Sequence, residues 1–420
     1  MFFMNIWVIK EGEPLPIDGQ NGRIMRCGII CRMLAEQGHK VLWWSSTFSH
    51  QTKKKVRSQV CTEEISENYQ IRLLDSSTVY KKNISFQRVI YNKEIANQFQ
   101  KESETLIEPD IILCSYPTID FAYAALRYGK KRRIPVVVDV RDLWPDIFTQ
   151  PFPFFLKPFI HLAFFKYFKM SKQVIQDATA IIGVTPYVMD WVRRKGRIIT
   201  ELDHTVFLAY DLLQKNNEIK IENDFWKSQN IKLSDNIICY FGNIIDRIDF
   251  NTVFKAAQKL CKKNIPVKFV ICGTGSYLNS LEQKTKKLGV FFFPGYINQV
   301  QIEELMNISI AGIIPYFNSR SDFVDAVPNK AIEYLAGGLP VISSLQGFLK
   351  NILSEYNCGL SYNNSNELAK DIELLILKKD EVSKMKGNAR KLYQGKFTAK
   401  RVYGDLCVFL ETLSKTHKFR

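Results

Sequence analysis

The sequence predicts an α/β fold with two doubly wound domains, each built on a parallel sheet. Short apolar runs rich in Val and Ile alternate with amphipathic stretches over most of the 420 residues. This alternation is typical of repeated strand–helix units. The pattern starts again after a polar, charge-dense segment at residues 214–235, which predicts a linker between two halves. The length also favours two or three domains over one.

Each predicted strand is a short apolar run of the kind that is covered on both faces. The runs lie at residues 5–9, 40–44, 111–115, 135–140 and 180–184, and then at 236–241, 268–272, 290–293, 311–315 and 339–343. Between the first two, residues 25–37 have helical spacing and Gly38 ends the helix. We therefore expect an N-terminal domain at 1–212, a C-terminal domain at 213–395 and a final helix at 396–420. Ligands are expected at the carboxyl ends of the strands and in the cleft between the domains.

Composition and charge narrow the class of protein. Lys and Arg number 58 against 42 Asp and Glu, a net charge of +16. This surplus predicts an anionic partner: nucleic acid, an acidic membrane surface or a phosphorylated substrate. The nine cysteines form no CxxC pairs, which favours reduced cysteines in a cytosolic protein. The N-terminus lacks the features of a signal peptide, and no run reaches the roughly 18 uncharged apolar residues of a membrane span.

The most informative segment is a loop, a helix and a strand at residues 325–344. Pro328 suits a first helical position, and two glycines followed by a proline suit the end of a helix. The N–H groups of such a helix point toward the loop that carries Asp325, where a diphosphate could bind. Glu333 lies inside the helix, where its carboxylate could accept hydrogen bonds from two ribose hydroxyls. The same pattern is compatible with a surface helix whose glycines are only caps.

This segment resembles the signature of retaining glycosyltransferase family 4. An acidic residue, seven positions, a Glu and then Tyr-Leu-Ala-Gly-Gly-Leu-Pro-Val-Ile follow one another as in that family. The resemblance implies the GT-B fold, two Rossmann-like doubly wound domains facing a central cleft. It also implies that Glu333 holds the donor ribose and that Asp325, where the family usually has Glu, contacts the donor sugar as a catalytic residue.

Other stretches resemble the donor-binding loops of the family, in the expected order. They are the glycine loop after the first strand of the second domain, a Gly-x-Gly loop and a loop near the nucleotide base. The phosphate-binding Arg or Lys of the family is not at its usual place, so Arg247 or Lys330 is expected to supply that charge. The expected donor-binding residues are Gly242, Asn243, Arg247, Gly273, Gly275, Gly295, Tyr296, Asn329, Lys330 and Glu333.

The first domain resembles the branch of the family that includes N-acetylfucosaminyl transferases of O-antigen and capsule assembly. The resemblance is seen at residues 134–146, where Arg141 occupies the position of the His of many other branches. A guanidinium cannot be a general base, but it could brace a phosphate or orient Asp142. The alternative is that Arg141 and Asp142 pair only structurally. His50 ends a second similar run and is a candidate catalytic residue, although a single His is more often structural.

Two further segments suggest partners. The loop at 12–26 is expected to face the donor through Gly22, with Arg23 and Arg26 suited to an acceptor phosphate. Residues 151–170 interleave seven Phe and one Tyr with lysines, which resembles an in-plane anchor on an anionic membrane. A core helix with snorkelling lysines is the alternative.

These observations predict a retaining glycosyltransferase on the inner face of the plasma membrane. The expected donor is a UDP-sugar, and the expected acceptor is a polyprenyl-diphosphate-linked saccharide of O-antigen or capsule biosynthesis. No metal cofactor and no nucleic-acid partner are expected, because neither an Asp-x-Asp site nor a basic aromatic strand platform is present. Two alternatives remain: a nucleotide-sugar epimerase on the same scaffold, and a non-catalytic basic protein that binds membranes or nucleic acid.

Overall fold

A computed structural model describes residues 3–17, 24–82, 85–149, 152–211, 223–317 and 325–418. The chain forms two compact units. The first comprises the chain up to Phe207 together with the C-terminal segment from Val402, and the second spans Leu208–Arg401. Each unit has its own parallel sheet and its own buried core.

The first unit is built on an eight-stranded sheet. Its strands are β1 (Asn5–Ile9), β2 (Lys40–Ser46), β5 (Cys61–Ser66), β6 (Tyr69–Leu74), β7 (Ile111–Tyr116), β8 (Val136–Val140), β9 (Ala180–Gly183) and β10 (His204–Thr205), while β3 (Phe48–Ser49) and β4 (Lys54–Lys55) form a separate hairpin. The order is β10-β9-β8-β7-β1-β2-β6-β5, and every pair is parallel except β5 with β6. The sheet is therefore doubly wound, with β1 and β7 as neighbours at its centre.

The helices of the first unit follow the strands in the expected alternation. They are α1 (Arg26–Glu36), α2 (Phe86–Glu102), α3 (Ile119–Arg132), α4 (Lys157–Ala163), α5 (Phe165–Asp177) and α6 (Pro186–Arg194). The long helix α15 (Ala399–Lys418) adds its chain from Val402 onward to the same unit. Its apolar face, with Tyr403, Leu406 and Leu410, is buried. His39 Nε2 lies 3.0 Å from Glu411 Oε1, which ties this helix to the start of β2.

The second unit has a six-stranded sheet in which every pair is parallel. Its strands are β11 (Ile237–Phe241), β12 (Lys268–Cys272), β13 (Phe291–Gly295), β14 (Ala311–Ile314), β15 (Val341–Ser343) and β16 (Gly359–Ser361). Its helices are α7 (Asn223–Ser228), α8 (Phe250–Lys262), α9 (Leu278–Thr285), α10 (Gln299–Ile308), α11 (Asn329–Ala336), α12 (Phe348–Glu355), α13 (Ser365–Leu377) and α14 (Lys379–Lys396). The order β13-β12-β11-β14-β15-β16 is the 3-2-1-4-5-6 arrangement of dinucleotide-binding sheets. The predicted fold class is confirmed.

The structure differs from the predicted linker at residues 214–235. From residue 223 the chain forms α7, and Trp226 is buried in the second unit. The indole Nε1 of Trp226 donates a hydrogen bond to Glu304 Oε2 at 3.0 Å. This part of the predicted linker is therefore wrong, because one large aromatic side chain fixes a polar segment to the unit. Residues 212–222 lie outside the described part of the chain.

Candidate functional site

The candidate site of the second unit lies where the order of strands in its sheet reverses, between β11 and β14. The connection from β11 leads to one side of the sheet and the connection from β14 to the other. In open α/β sheets, ligands bind outside the carboxyl ends of such a pair of strands. Gly242 and Asn243 follow β11, Tyr316 follows β14, and α11 lies beyond them in the chain.

Lys330 in the first turn of α11 is the cation at this site. Its Nζ donates a hydrogen bond to the hydroxyl of Tyr240 at 3.1 Å and lies 4.3 Å from the centre of the same ring. The ring of Tyr316 is 5.4 Å away. Burial alone would lower the pKa of Lys330, but the oxygens of Tyr316 and Tyr240 outweigh it and raise the pKa to about 12. The ammonium group is therefore charged at neutral pH.

Gly242 and Glu333 flank this cation. A side chain at Gly242 would crowd the ammonium, because its Cβ would lie 3.1 Å from the Lys330 Nζ. Glu333 is one turn further along α11 and only 2 % exposed, and its charge helps to raise the pKa of Lys330. The structure thus places a buried carboxyl group and a half-buried ammonium group on one short helix beside an exposed glycine loop.

The Gly-x-Gly loop has a packing role that the sequence did not reveal. A Cβ at Gly273 would lie 1.9 Å from the carbonyl oxygen of Gly242, and one at Gly275 would lie 2.1 Å from that of Ile244. The two loops are also joined by a hydrogen bond from the Ile244 amide to the Thr274 carbonyl at 2.9 Å. The glycines therefore allow this loop to support the backbone of the loop after β11.

The remaining predicted residues of the second unit take more varied positions. Asp325 is half-buried, and its Oδ1 accepts a hydrogen bond from the Phe348 amide at 3.2 Å, at the start of α12. Arg247 and Asn329 are exposed. Of the two candidate cations, Lys330 is therefore half-buried and oriented by Tyr240, whereas Arg247 is exposed. Gly295 ends β13, Tyr296 after it is exposed, and Gly22 lies outside the described residues.

In the first unit, the expected phosphate role of Arg26 and Arg141 is wrong. Arg26 Nε and Nη2 donate to the two oxygens of Asp139 at 2.9 Å each, and Arg26 also donates to two backbone carbonyls. Arg141 donates to Asp139 at 2.8 Å, to Glu13 and to the Cys27 sulfur. Both guanidinium groups are thus occupied by internal partners. Asp142 is exposed.

His50 lies in a cluster of cations and aromatic rings. Its Nδ1 is 2.6 Å from the Tyr80 hydroxyl and 3.3 Å from the Lys53 Nζ. Burial, reinforced by Lys53 and Arg88, lowers the pKa of His50 to about 4. His50 is therefore neutral at pH 7, and Nδ1 accepts hydrogen bonds while Nε2 carries the proton. The low pKa makes this ring a weak base, and its Nδ1 is already occupied by Tyr80 and Lys53.

The aromatic segment after β8 is exposed. The exposed fractions are 83 % for Phe154, 68 % for Phe159, 76 % for Leu162 and 63 % for Phe165. Helix α4 has no buried residue, so the alternative of a core helix is wrong for this part of the segment. Helix α5 does bury residues, among them Met170 and Val174. Among the described helices, none is both long and apolar enough to cross a bilayer.

Two family models match the chain, one in each half. The model for Glycosyltransferase Family 4 matches residues 28–201, and the model for Glycosyl transferases group 1 matches residues 222–392. The chain is a glycosyltransferase of the group 1/family 4 type. The resemblance inferred from the signature at residues 325–344 is confirmed at this level.

Solved structures of similar fold support the GT-B assignment of this glycosyltransferase. Sucrose-phosphate synthase from Thermosynechococcus elongatus superposes with a TM-score of 0.72 at 14 % identity over 98 % of this chain and 99 % of that one. HepE from Anabaena, in complex with UDP-glucose, superposes with a TM-score of 0.66 at 15 % identity, over 98 % of this chain and 100 % of that one. WaaG, a glycosyltransferase involved in lipopolysaccharide biosynthesis, superposes with a TM-score of 0.65 at 12 % identity, over 97 % of this chain and 99 % of that one. A comparison with curated protein sequences finds no significant match.

Several residues of the glycosyltransferase that line these sites were not singled out from the sequence. Tyr316 and Tyr240 at Lys330, and Tyr80 and Arg88 near His50, come from separate elements. Tyr240 is the penultimate residue of β11 and could have been found by its place two residues before Gly242. Nothing local distinguishes the others, because tertiary packing alone brings them together.

The first prediction concerns the buried carboxylate of Asp139. Burial alone would raise the pKa of Asp139, but the guanidinium groups of Arg26 and Arg141 hold it below its ordinary value of 3.8. We expect Asp139→Asn to reduce the free energy of unfolding at pH 7 by about 3 kcal/mol, because it leaves buried cations without their charge partner. Urea denaturation measures this loss. The contribution is full above pH 3.8 and is lost as the pH falls through the folded pKa.

Asp142→Asn is the matched control, because Asp142 is an exposed carboxylate two residues after the end of β8, the strand that holds Asp139. Its effect should stay within about 0.5 kcal/mol. Equal effects of the two substitutions would contradict the structural role of Asp139.

The second prediction concerns the titration of His50. We expect a ring pKa of about 4 by NMR, assigned among the five histidines with a His50→Gln variant. Lys53→Asn should raise this pKa by removing a nearby cation, whereas Lys54→Asn should not. Because the folded pKa is below the ordinary 6.5, this group's contribution to stability is present above pH 6.5 and is lost as the pH falls toward 4. Titration near 6.5 in the parent protein would contradict this environment.

Proposed function

We propose that this glycosyltransferase moves a sugar from a UDP-sugar to a polyprenyl-diphosphate-linked saccharide, with retention at the anomeric carbon. The transferred group would be a hexosyl or N-acetylhexosaminyl group, in the manner of the N-acetylfucosaminyl transferase branch. The reaction would serve cell-surface polysaccharide assembly at the cytoplasmic face of the membrane. The half-buried, charged Lys330 at the carboxyl edge of the second sheet is the observation on which the donor assignment rests.

The chemistry of Lys330 suits the departing diphosphate. The bond between the anomeric carbon and the diphosphate breaks in the transfer, and negative charge develops on the leaving oxygen. A cation that is held in place and screened from water stabilises such a charge more than a solvated one does. Lys330 is fixed by the hydroxyl of Tyr240 and by two aromatic rings. It therefore needs little reorganisation when the charge appears.

Other residues would bind the rest of the donor. Exposed Gly242 and Asn243 provide a backbone surface beside Lys330. The buried carboxylate of Glu333 would accept hydrogen bonds from the ribose hydroxyls. Exposed Tyr296 could stack on the base. HepE, which shares the fold, is known in complexes with UDP and UDP-glucose, and this supports a UDP-sugar here.

The exposed aromatic segment at residues 152–170 supports an acceptor embedded in a membrane. We refer to it as the aromatic surface. Its phenylalanines would lie in the interfacial region of the bilayer. Lys157, Lys166 and Lys169 are exposed in the same segment and would face anionic head groups, with about 1 kcal/mol for each. A polyprenyl-linked acceptor is present only at such a surface.

The third prediction tests the donor site by thermal unfolding. UDP at 100 times its dissociation constant should add about 2.7 kcal/mol to the stability of the parent protein and raise its melting temperature. GDP, dTDP, CMP and a nucleic-acid oligomer should shift it less. Lys330→Met and Glu333→Gln should each abolish the UDP shift, because they remove the contacts to the diphosphate and the ribose.

The matched controls are Lys350→Met and Glu355→Gln, which change exposed residues in the next helix. They should keep the full UDP shift. A shift of the melting temperature with the oligomer alone would reject the donor assignment and favour the non-catalytic alternative. The absence of a shift with every nucleotide would do the same.

The fourth prediction tests the aromatic surface with lipid vesicles. The parent protein should sediment with vesicles that contain 30 % anionic lipid and less with neutral ones. Replacing Phe154, Phe159 and Phe165 by Ser should weaken this partition by at least about tenfold, because each buried Phe contributes about 1.5 kcal/mol or more. Ile107→Ser/Ile198→Ser, at exposed apolar residues elsewhere in the first unit, is the control. Equal binding by both variants would reject this surface as the anchor.

A further inference from the structure

The first unit has a cluster of cations and aromatic rings that the donor chemistry does not use. Lys53 Nζ lies 4.7 Å from the centre of the Tyr80 ring, and Arg88 Cζ lies 5.5 Å from the same centre. Arg88 also lies 5.0 Å from the Trp144 ring. His50 is bound to the Tyr80 hydroxyl. We call Lys53, Arg88, His50, Tyr80 and Trp144 the cation cluster.

The cation cluster lies at the carboxyl edge of the first sheet. Lys10 and Glu11 follow β1 directly, His50 follows the short β3, and Trp144 is in the loop after β8. The carboxyl ends of parallel strands share one edge of a sheet, and β1 and β7 are the pair at which the connections change side. This is the edge where open α/β sheets bind their ligands. The position of the cluster is therefore that of a binding site.

The charges that converge here favour an anion. The charged groups acting most strongly on His50 among the described residues are the cations Lys53, Arg88 and Lys10 and the carboxylate of Glu11. Glu11 is buried and accepts a hydrogen bond from the Thr118 hydroxyl at 2.6 Å. Burial and the charge of Arg88 also lower the pKa of Lys53. Holding cations so close together has a cost in free energy, and an anion with several negative oxygens would offset it.

The backbone of Lys53 is left-handed at the end of the turn between β3 and β4. Lys53 has a φ of 58°, in the left-handed region that disfavours residues with a Cβ. Its amide donates a hydrogen bond to the Ser49 carbonyl at 2.9 Å. The turn thereby brings the ammonium back over the Tyr80 ring. Strain of this kind is found where the placement of a side chain serves a function.

We propose that Lys53 and Arg88 bind the diphosphate of the acceptor, with neutral His50 as a hydrogen-bond donor through Nε2. The identity of the ligand rests on the proposed transfer to a diphosphate-linked acceptor, whereas the anion site itself does not. The site selects acceptors that carry the diphosphate and positions them at the first unit. Arg26 and Arg141, the arginines that the sequence favoured for this role, are occupied by carboxylates.

The test is calorimetric titration of inorganic pyrophosphate into the full chain saturated with UDP, so that the donor site is already filled. Lys53→Asn and Arg88→Gln should each weaken pyrophosphate binding by about tenfold or more, because each removes one charged contact. Asn tolerates the left-handed backbone at residue 53, so the fold should be retained. The matched controls Lys54→Asn and Lys81→Gln change exposed lysines nearby and should stay within about twofold.

A second arm identifies the source of the diphosphate. Geranyl diphosphate should compete with pyrophosphate in the parent protein and lose affinity in the same two variants. Pyrophosphate binding without this competition would overturn the acceptor assignment. Unchanged pyrophosphate binding in the Lys53 and Arg88 variants, with UDP still bound, would overturn the inference alone. Failure of UDP to bind would instead reject the proposed donor function.

Discussion

The buried pairing of Asp139 with Arg26 and Arg141 is the interaction on which the first unit depends. A carboxylate with no exposed surface remains ionised only if cations reach it, and both guanidinium groups do so. Arg26 begins α1, Asp139 lies in β8, and Arg141 continues to Glu13 in the loop after β1. One carboxylate thereby fixes three elements that meet at the carboxyl edge of the sheet. A displacement of any one of them would leave a charge buried without its partner, so the shape of this edge is tightly determined.

The surroundings of the cations differ in a way that their positions in the sequence do not reveal. Arg26 and Arg141 are bound by carboxylates, which neutralise them and use their donors. Lys330, Lys53 and Arg88 lie against the faces of tyrosine or tryptophan rings. A ring face attracts a cation without cancelling its charge. A cation against the face of an aromatic ring therefore occurs at the carboxyl edge of both sheets, in two units with different sequences.

Much of the fold could be predicted from the sequence, because its central strands are marked by short stretches of neighbouring residues. The central strands β1, β8 and β11 are apolar runs that are buried on both faces, and such runs stand out against their flanks. The edge strand β5 alternates exposed and half-buried residues, including two Glu, and was not found. In the same way, the signature at residues 325–344 identified Lys330 and Glu333, which are close in sequence. Asp139 lies two residues before Arg141 and could have been found as its partner. Glu13, the other partner of Arg141, and Tyr80, the ring beside Lys53, could not be found, because only tertiary packing brings them there.

The aromatic surface exposes apolar side chains to water, and packing of the neighbouring elements in the first unit holds it in place. Helix α4 buries no residue, so its Phe159 and Leu162 contribute nothing to the core and leave a large apolar area in water. The segment keeps its place because α5, which follows at once, packs Met170, Val174 and Ile175 into the unit. The loop before it is fixed as well, since the Tyr116 hydroxyl donates to the Trp144 carbonyl oxygen at 2.5 Å. A rigid base that carries exposed aromatic and basic side chains is what interfacial binding requires, because a flexible segment would lose entropy each time it inserted.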